Sequence, residues 1–367
     1  MPTSRLRSLD AFRGLTVAGM ILVNNPGTWG AMYPPLAHAE WDGWTPTDLI
    51  FPFFVFIMGM SAALVIPRRL AEGVPRATVS RQVVVRGLLL ILIGLLLAGF
   101  PKYDLATIRI PGVLARLGAC YLATGLILTW STPKMWERLI ALLLLGYWLA
   151  LLAIPVPEYG AGILAPDGNL PQYIDAIVLG VHRWKTNWDP EGILSTFPAI
   201  ATCLIGAWTW IRIKAEEGIE RRSLTLMACG AAFLLLGWSW SWVCPINKNL
   251  WSSSYVLWTA GMAMEVLALM MWVMDGLGRT RWARPFEEYG KNALALFVLS
   301  GLFARAMQLI KVEAGGERMA LKTWIFSRIY LPVGDAKFAS FLFALSMVLL
   351  FWGVAAVMDR KGWYWRL

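Results

Sequence analysis

The sequence predicts an all-α polytopic membrane protein, and three observations carry that prediction. Hydrophobic residues make up 58% of the 367 positions against 15% charged, and the mean hydropathy is +0.58, which excludes an ordinary soluble domain. Apolar runs long enough to cross a hydrocarbon core, which takes about 20 residues of helix, recur along the whole chain. The 21 tryptophans fit a bilayer protein, because indoles favour the headgroup interface.

Ten such runs can be marked, at about 9–25, 46–67, 82–100, 111–130, 135–154, 191–211, 223–243, 252–275, 289–310 and 337–358. The first is short and polar at its start. It contains Asp10 and Arg13 and lacks a small-residue cleavage site, so it reads as a retained helix and not as a signal peptide. Loop charges orient the set. With the N-terminus inside, the inner side receives 18 basic residues: Arg5, Arg7, Arg68, Arg69, Arg76, Arg81, Lys134, Arg138, Arg212, Lys214, Arg221, Arg222, Arg279, Arg281, Arg284, Arg360, Lys361 and Arg366. The outer side receives 10, namely Lys102, Arg109, Arg183, Lys185, Lys248, Lys311, Arg318, Lys322, Arg328 and Lys337. The excess predicts ten helices with both termini inside. Two outer loops are long, 155–190 and 311–336, and long polar loops on one face commonly shape a binding vestibule.

The net charge of +10 is spread in short clusters between apolar runs, the habit of cytoplasmic loops, so no nucleic-acid partner is expected. Cys120, Cys203, Cys229 and Cys244 form no CxxC pair, and neither a metal site nor a disulfide framework is expected. Soluble-enzyme motifs are absent: there is no glycine-rich phosphate loop, no GxSxG and no HExxH. The chain reads as a single domain over residues 1–367, with lipid as its surroundings and a homodimer as one arrangement open to it.

Ionisable and amide groups near apolar runs are expensive, which makes them site candidates. His38 lies in a proline- and glycine-punctuated stretch that runs straight into the second apolar run. Its imidazole suits proton transfer near neutral pH, or it serves only as a loop hydrogen-bonder. Asn24 and Asn25 close the first helix before Pro26-Gly27, a C-cap and turn pattern. Asn24 ends at the membrane level of His38 and could orient the ring or donate to an oxyanion. Thr45 and Asp48, with Pro46 between, resemble a capping box. Asp10 and Arg13 are spaced to pair on one helix face. Arg116, a turn inside the fourth run, needs an anionic partner. Asp189 and Glu191 open the sixth run, where acids suit the helix dipole. Lys291 could attract a phosphate or snorkel to headgroups.

The order of these pieces resembles the heparan-α-glucosaminide N-acetyltransferase family of transmembrane acyltransferases. The residues concerned are Arg5-Leu-Arg7-Ser-Leu-Asp10-Ala-Phe-Arg13-Gly14, Met20-Ile-Leu-Val-Asn24, His38-Ala-Glu-Trp41-Asp-Gly43, Asp48-Leu-Ile-Phe-Pro52, Arg109-Ile-Pro-Gly-Val-Leu-Ala-Arg116, Tyr173-Ile-Asp175, Asp189-Pro-Glu-Gly192, Asn247-Lys248, Leu250-Trp251 and Gly290-Lys-Asn292. Asn25-Pro26-Gly27 is similar to a bacterial inner-membrane subgroup labelled as N-acetylglucosamine transporters.

The resemblance implies acetyl transfer from cytoplasmic acetyl-CoA to an amino sugar or glycan acceptor of glucosamine type on the periplasmic side. It implies His38 as general base and Asn24 beside it. Trp41, Asp48, Asp189, Glu191, Asn247, Lys248 and Trp251 are then expected on the acceptor side, and Arg13, Arg116, Lys291 and Asn292 on the acetyl-CoA side. The rival expectation is an inner-membrane carrier for N-acetylglucosamine or a related sugar.

Overall fold

The computed structural model describes residues 6–314 and 316–365. Arg5 and Arg366 of the charge count lie outside them. Thirteen helices and one small hairpin make up the described chain. The helices are α1 (Arg7–Asn24), α2 (Pro46–Ala71), α3 (Arg76–Gly99), α4 (Val113–Trp130), α5 (Pro133–Ala153), α6 (Leu170–Leu179), α7 (Thr196–Lys214), α8 (Ile219–Trp240), α9 (Ser253–Met271), α10 (Arg284–Lys291), α11 (Ala293–Leu309), α12 (Leu321–Ile325) and α13 (Ala336–Arg360). The hairpin pairs β1 (Lys311–Ala314) with β2 (Glu317–Ala320), antiparallel, with Lys311 opposite Ala320.

Among the described residues, eight helices are long and apolar enough to cross a bilayer: α2 to α5, α7, α8, α9 with its continuation to Gly276, and α13. A further apolar pair, α10 with the turn before it and α11, is bent by 77° and has the form of a broken span or a re-entrant loop. The protein is therefore all-helical and polytopic, as its composition predicts. α1 occupies the first predicted run but carries Arg7, Asp10 and Arg13 and falls outside the apolar set. The run expected at 289–310 is divided between the end of α10 and α11, which starts at Ala293. The residue before it, Asn292, has φ −127° and ψ 31° and interrupts the turn. The two long loops carry structure of their own, α6 in the first and the hairpin with α12 in the second.

The sequence reads as one domain, and the contacts gather it into two compact units. The first comprises the chain up to Ala39, Thr45–Ile50 and Met270 onward; the second comprises Glu40–Trp44 and Phe51–Leu269.

In the first unit α1 crosses α10 at backbone contact. A methyl on Gly14 would stand 1.7 Å from the Phe286 carbonyl oxygen, and one on Gly290 would stand 1.9 Å from that of Asp10. Small residues at such a crossing let helices approach closely without water to drive them together. Charged pairs fix the ends: Arg7 binds Glu287 through two bonds of 3.0 Å, and Arg284 binds Glu288, which also accepts from Trp352 Nε1 at 2.8 Å. At the other end of α1, Asn25 Nδ2 donates to the Ile21 carbonyl at 2.8 Å, the helix-closing role that the Asn-Pro-Gly pattern predicts. In the second unit α2 and α7 pack by the same means, Gly59 against the Cys203 carbonyl and Gly206 against that of Phe56.

Candidate active site

His38 and Asp48 meet in the first unit. His38 Nδ1 lies 2.6 Å from Asp48 Oδ1, with the carboxylate side chain 1% exposed and the imidazole 47% exposed. The second oxygen, Oδ2, accepts from Ala39 N at 3.0 Å, Thr45 N at 3.1 Å and Thr45 Oγ1 at 3.2 Å. The bond from Thr45 N is the capping-box bond that the Thr45–Asp48 spacing predicts. Thr45 Oγ1 also donates to the Ala37 carbonyl at 2.6 Å. A residue predicted as a helix cap therefore orients the histidine as well. An ionised carboxylate can only accept, so beside ionised Asp48 the hydrogen in the 2.6 Å contact is carried by Nδ1. The ring is half-exposed and backed by a buried carboxylate that accepts further bonds from Ala39 N, Thr45 N and Thr45 Oγ1.

Asn24 ends α1 exposed to solvent. No hydrogen bond joins it to His38 among the described residues. The orienting role that the sequence offers to Asn24 is thus filled by Asp48, because the chain at Ala37–Ala39 packs onto the α2 N-terminus at Thr45–Asp48.

At the opposite end of α1 stand the residues expected on the acetyl-CoA side in this unit. Arg13 pairs with Asp10 at 3.0 Å, as the spacing predicts. Lys291 Nζ is held by both oxygens of Asp359 at 2.7 and 2.8 Å, and Tyr364 OH donates to the same carboxylate at 2.7 Å. Asn292 is buried; its Oδ1 accepts from Trp365 N at 3.1 Å, while its Nδ2 has no partner among the described residues. That buried donor sits at the break between α10 and α11.

The remaining candidates cluster in the second unit around two arginines. Arg109 binds Asp189 through bonds of 2.6 and 2.9 Å, closes a further bond to Glu191, and stacks 4.9 Å over Trp184. Asp189 also accepts from Trp184 N and Glu191 N. Both acids lie ahead of α7, which starts at Thr196, so they serve Arg109 and not, as predicted, the helix dipole. Arg116 is fully buried in the first turns of α4. It donates through Nη2 to the Gly192 carbonyl at 3.0 Å and to Ser195 Oγ, and lies 5.0 Å over the Trp251 ring. Of the two anionic partners expected, an acidic side chain or a phosphate, no acidic side chain pairs with it among the described residues; it meets a carbonyl, a hydroxyl and a ring face. Nε and Nη1 are left without partners there.

Trp251 is wholly buried, with Nε1 donating to Thr202 Oγ1 at 3.1 Å, and presents no face to a sugar. Asn247 is equally buried. Its Oδ1 accepts from Leu250 N at 2.8 Å and its Nδ2 donates to the exposed Asp42 at 3.0 Å, so it shapes the turn that carries Lys248. Trp41 stays partly open, donates to the Leu164 carbonyl at 2.9 Å, and packs edge to face on Trp188 at 5.9 Å. No group of His, Cys, Asp and Glu is gathered as metal ligands among the described residues.

Two further acids stand out, Asp175, which the sequence offers only within the Tyr173-Ile-Asp175 motif, and Glu265, which it leaves unmarked. Asp175 is buried in α6 with Oδ1 accepting from Ile193 N at 2.8 Å, and burial pushes its carboxyl up to about 6. Glu265, midway along α9, lays its carboxyl over Gly230 of α8. An acid inside the run 252–275 is itself a legible signal.

These features define a polytopic helical membrane protein with a half-exposed His–Asp pair. Residues 5–168 match the family "Heparan-alpha-glucosaminide N-acetyltransferase, catalytic". The chain is 30% identical over 362 residues to the human heparan-α-glucosaminide N-acetyltransferase, covering 80% of itself and 52% of that protein. To the mouse protein of the same name it is 30% identical over 353 residues, covering 80% and 53%. It thus spans about half the length of these relatives. The chain is thus similar to this family's catalytic region over residues 5–168 and to these relatives over 80% of its length.

Proposed function

We propose that the protein transfers an acetyl group from acetyl-CoA to the amine of a glucosamine-type sugar across a bacterial inner membrane, with His38 as general base. The observation that carries this reading is the 2.6 Å contact of His38 Nδ1 with the buried Asp48 carboxylate. Nε2 takes a proton from the acceptor amine as its nitrogen attacks the thioester carbonyl. The C–N bond forms, the C–S bond breaks, and the leaving thiolate takes the proton back from the His38 imidazolium to give CoA and a neutral ring. Asp48 steadies the imidazolium that forms in between. Asn24 is the candidate donor to the tetrahedral oxyanion. Arg13, Lys291 and the unpaired Nδ2 of Asn292 are the candidate contacts for the CoA phosphates and nucleotide, with Lys291 exchanging Asp359 for a phosphate. Within the second unit Trp41 and Lys248 are partly exposed, whereas Trp251, Asn247, Asp189 and Glu191 act by holding the loops.

Direct transfer through a ternary complex is the default reading. An acetyl-histidine intermediate would use the same Nε2 as nucleophile. The break between α10 and α11 favours a second reading, a sugar carrier, because discontinuous helices mark the binding sites of many transporters. One experiment separates the two. Protein purified into liposomes is given acetyl-CoA and glucosamine, and free CoA is measured beside uptake of labelled N-acetylglucosamine without CoA. Release of CoA without sugar uptake is expected; CoA-independent uptake with no CoA release would turn the assignment to the carrier and to the transporter-labelled subgroup.

A further inference from the structure

The segment joining α11 to α13 holds a cation that the transfer chemistry above does not use. Lys322 in α12 runs inward: its Nζ lies 5.8 Å from the centre of the Phe343 ring, which is itself fully buried. Phe343 also packs edge to face with Phe326 at 6.4 Å and Tyr330 at 5.3 Å, so the ammonium rests on an aromatic bed. No carboxylate pairs with it among the described residues. Burial without a counter-charge pulls its ammonium below the ordinary lysine range. The contrast within the unit is plain, since Arg13, Lys291 and Arg7 each have an acid.

The surroundings share the sign. Residues 305–337 carry Arg305, Lys311, Arg318, Lys322, Arg328 and Lys337 against Glu313, Glu317 and Asp335. Asp335 is committed to capping α13, its Oδ1 accepting from Phe338 N at 2.6 Å. A partly buried cation with no counter-ion is costly unless something anionic joins it. The bed of Lys322 also touches the chain that leads to His38. A methyl on Gly27, three residues past Asn24, would stand 2.4 Å from the Phe326 ring, and Gly27 N donates to the Ser340 carbonyl at 3.2 Å. Tyr33, on the approach to His38, packs on Phe341 of α13 at 6.3 Å.

We propose that Lys322 anchors an anionic substituent (a phosphate ester, a sulfate ester or a carboxylate) carried by the amino sugar whose amine is presented to His38. The inference rests on the transfer reading and sharpens its acceptor class: the preferred acceptor bears a negative charge. A lipid phosphate shares this chemistry, so the test has to tell the two sources apart.

The protein is placed in nanodiscs of neutral lipid, and binding of glucosamine, glucosamine 6-phosphate, glucosamine 6-sulfate and muramic acid is measured by calorimetry, with CoA release followed in parallel. At least one anionic sugar is expected to bind about tenfold tighter than glucosamine, the scale of one charge-assisted bond. Lys322→Met keeps the stem on Phe343 and should bring that ratio to about one, while Lys322→Arg restores it. The preference should persist in discs containing phosphatidylglycerol. An unchanged ratio in Lys322→Met overturns the proposal, as does the absence of any anionic preference in the wild type. A preference that vanishes in phosphatidylglycerol discs also overturns it and assigns the cation to lipid. Anion-selective binding without CoA release from any sugar would instead sink the transfer reading while leaving the anion site standing.

Discussion

Asp48 caps α2 and orients His38 with the same carboxylate, one oxygen for each task. Replacing it by Asn should keep a helix cap, since Asn caps as well as Asp, yet loosen control of the ring tautomer. Asp48→Asn is expected to lower CoA release by about 10²–10⁴-fold, the usual weight of general-base assistance, while the melting temperature in detergent stays near that of the wild type. Arg109→Ala removes the counter-charge of Asp189 and Glu191, whose side chains are 0% and 8% exposed. Stranding buried carboxylates typically costs about 3–5 kcal/mol, so a clear fall in thermal stability should follow.

Asp175 gives a pH-dependent counterpart. Its carboxyl is raised from 3.8 to about 6, so the folded state favours the acid form. Ionisation therefore weakens the fold as pH rises between these values, and the penalty is complete above about 6. Asp175→Asn should stabilise the protein at pH 7.5 by up to about 3 kcal/mol and do nothing at pH 4, as read from unfolding at the two pH values. Of this residue-scale picture, the sequence shows His38 and the Thr45–Asp48 cap. The His38–Asp48 contact is not legible, because an irregular loop and no helical or strand period brings the two together.

At the scale of elements, apolar periodicity locates nearly every spanning helix, because burial in lipid demands long uninterrupted runs. It does not reveal the bend after Lys291, since the dipeptide step at Lys291–Asn292 sits inside a run that reads as continuous. It also misses α6, whose ten residues are too short to stand out from a proline- and glycine-rich loop. The α1–α10 crossing provides a direct check. Gly290→Val would drive side-chain atoms into the Asp10 carbonyl, which leaves no room even for a methyl at this position. Overpacking of this kind costs about 1–3 kcal/mol or more, and a marked loss of monodisperse protein on size-exclusion chromatography is expected, whereas Gly353→Ala, which meets open space, should be silent.

For the whole molecule, the loop charges predict that 155–190 and 311–336 share the outer side with His38. Single cysteines placed at exposed Lys185 and Arg328 should react with a membrane-impermeant maleimide in intact cells. One at exposed Glu217 should react only after the membrane is opened, and labelling in the reverse pattern would invert the topology. The resemblance was legible because its motifs are strung in order along the chain, and residues 5–168 match the family's catalytic model. The division into two units was not, because α2 contributes its first turn to one and the rest to the other, with no linker or composition shift to announce it.

The central claim is that the Nε2 of His38 accepts the acceptor's proton. It is tested most directly by single-turnover transfer from labelled acetyl-CoA to glucosamine, comparing wild type with His38→Ala at equal, verified folded protein. The account predicts that the acetyl-transfer rate falls by at least about a hundredfold in His38→Ala. Transfer by His38→Ala at the wild-type rate would contradict it.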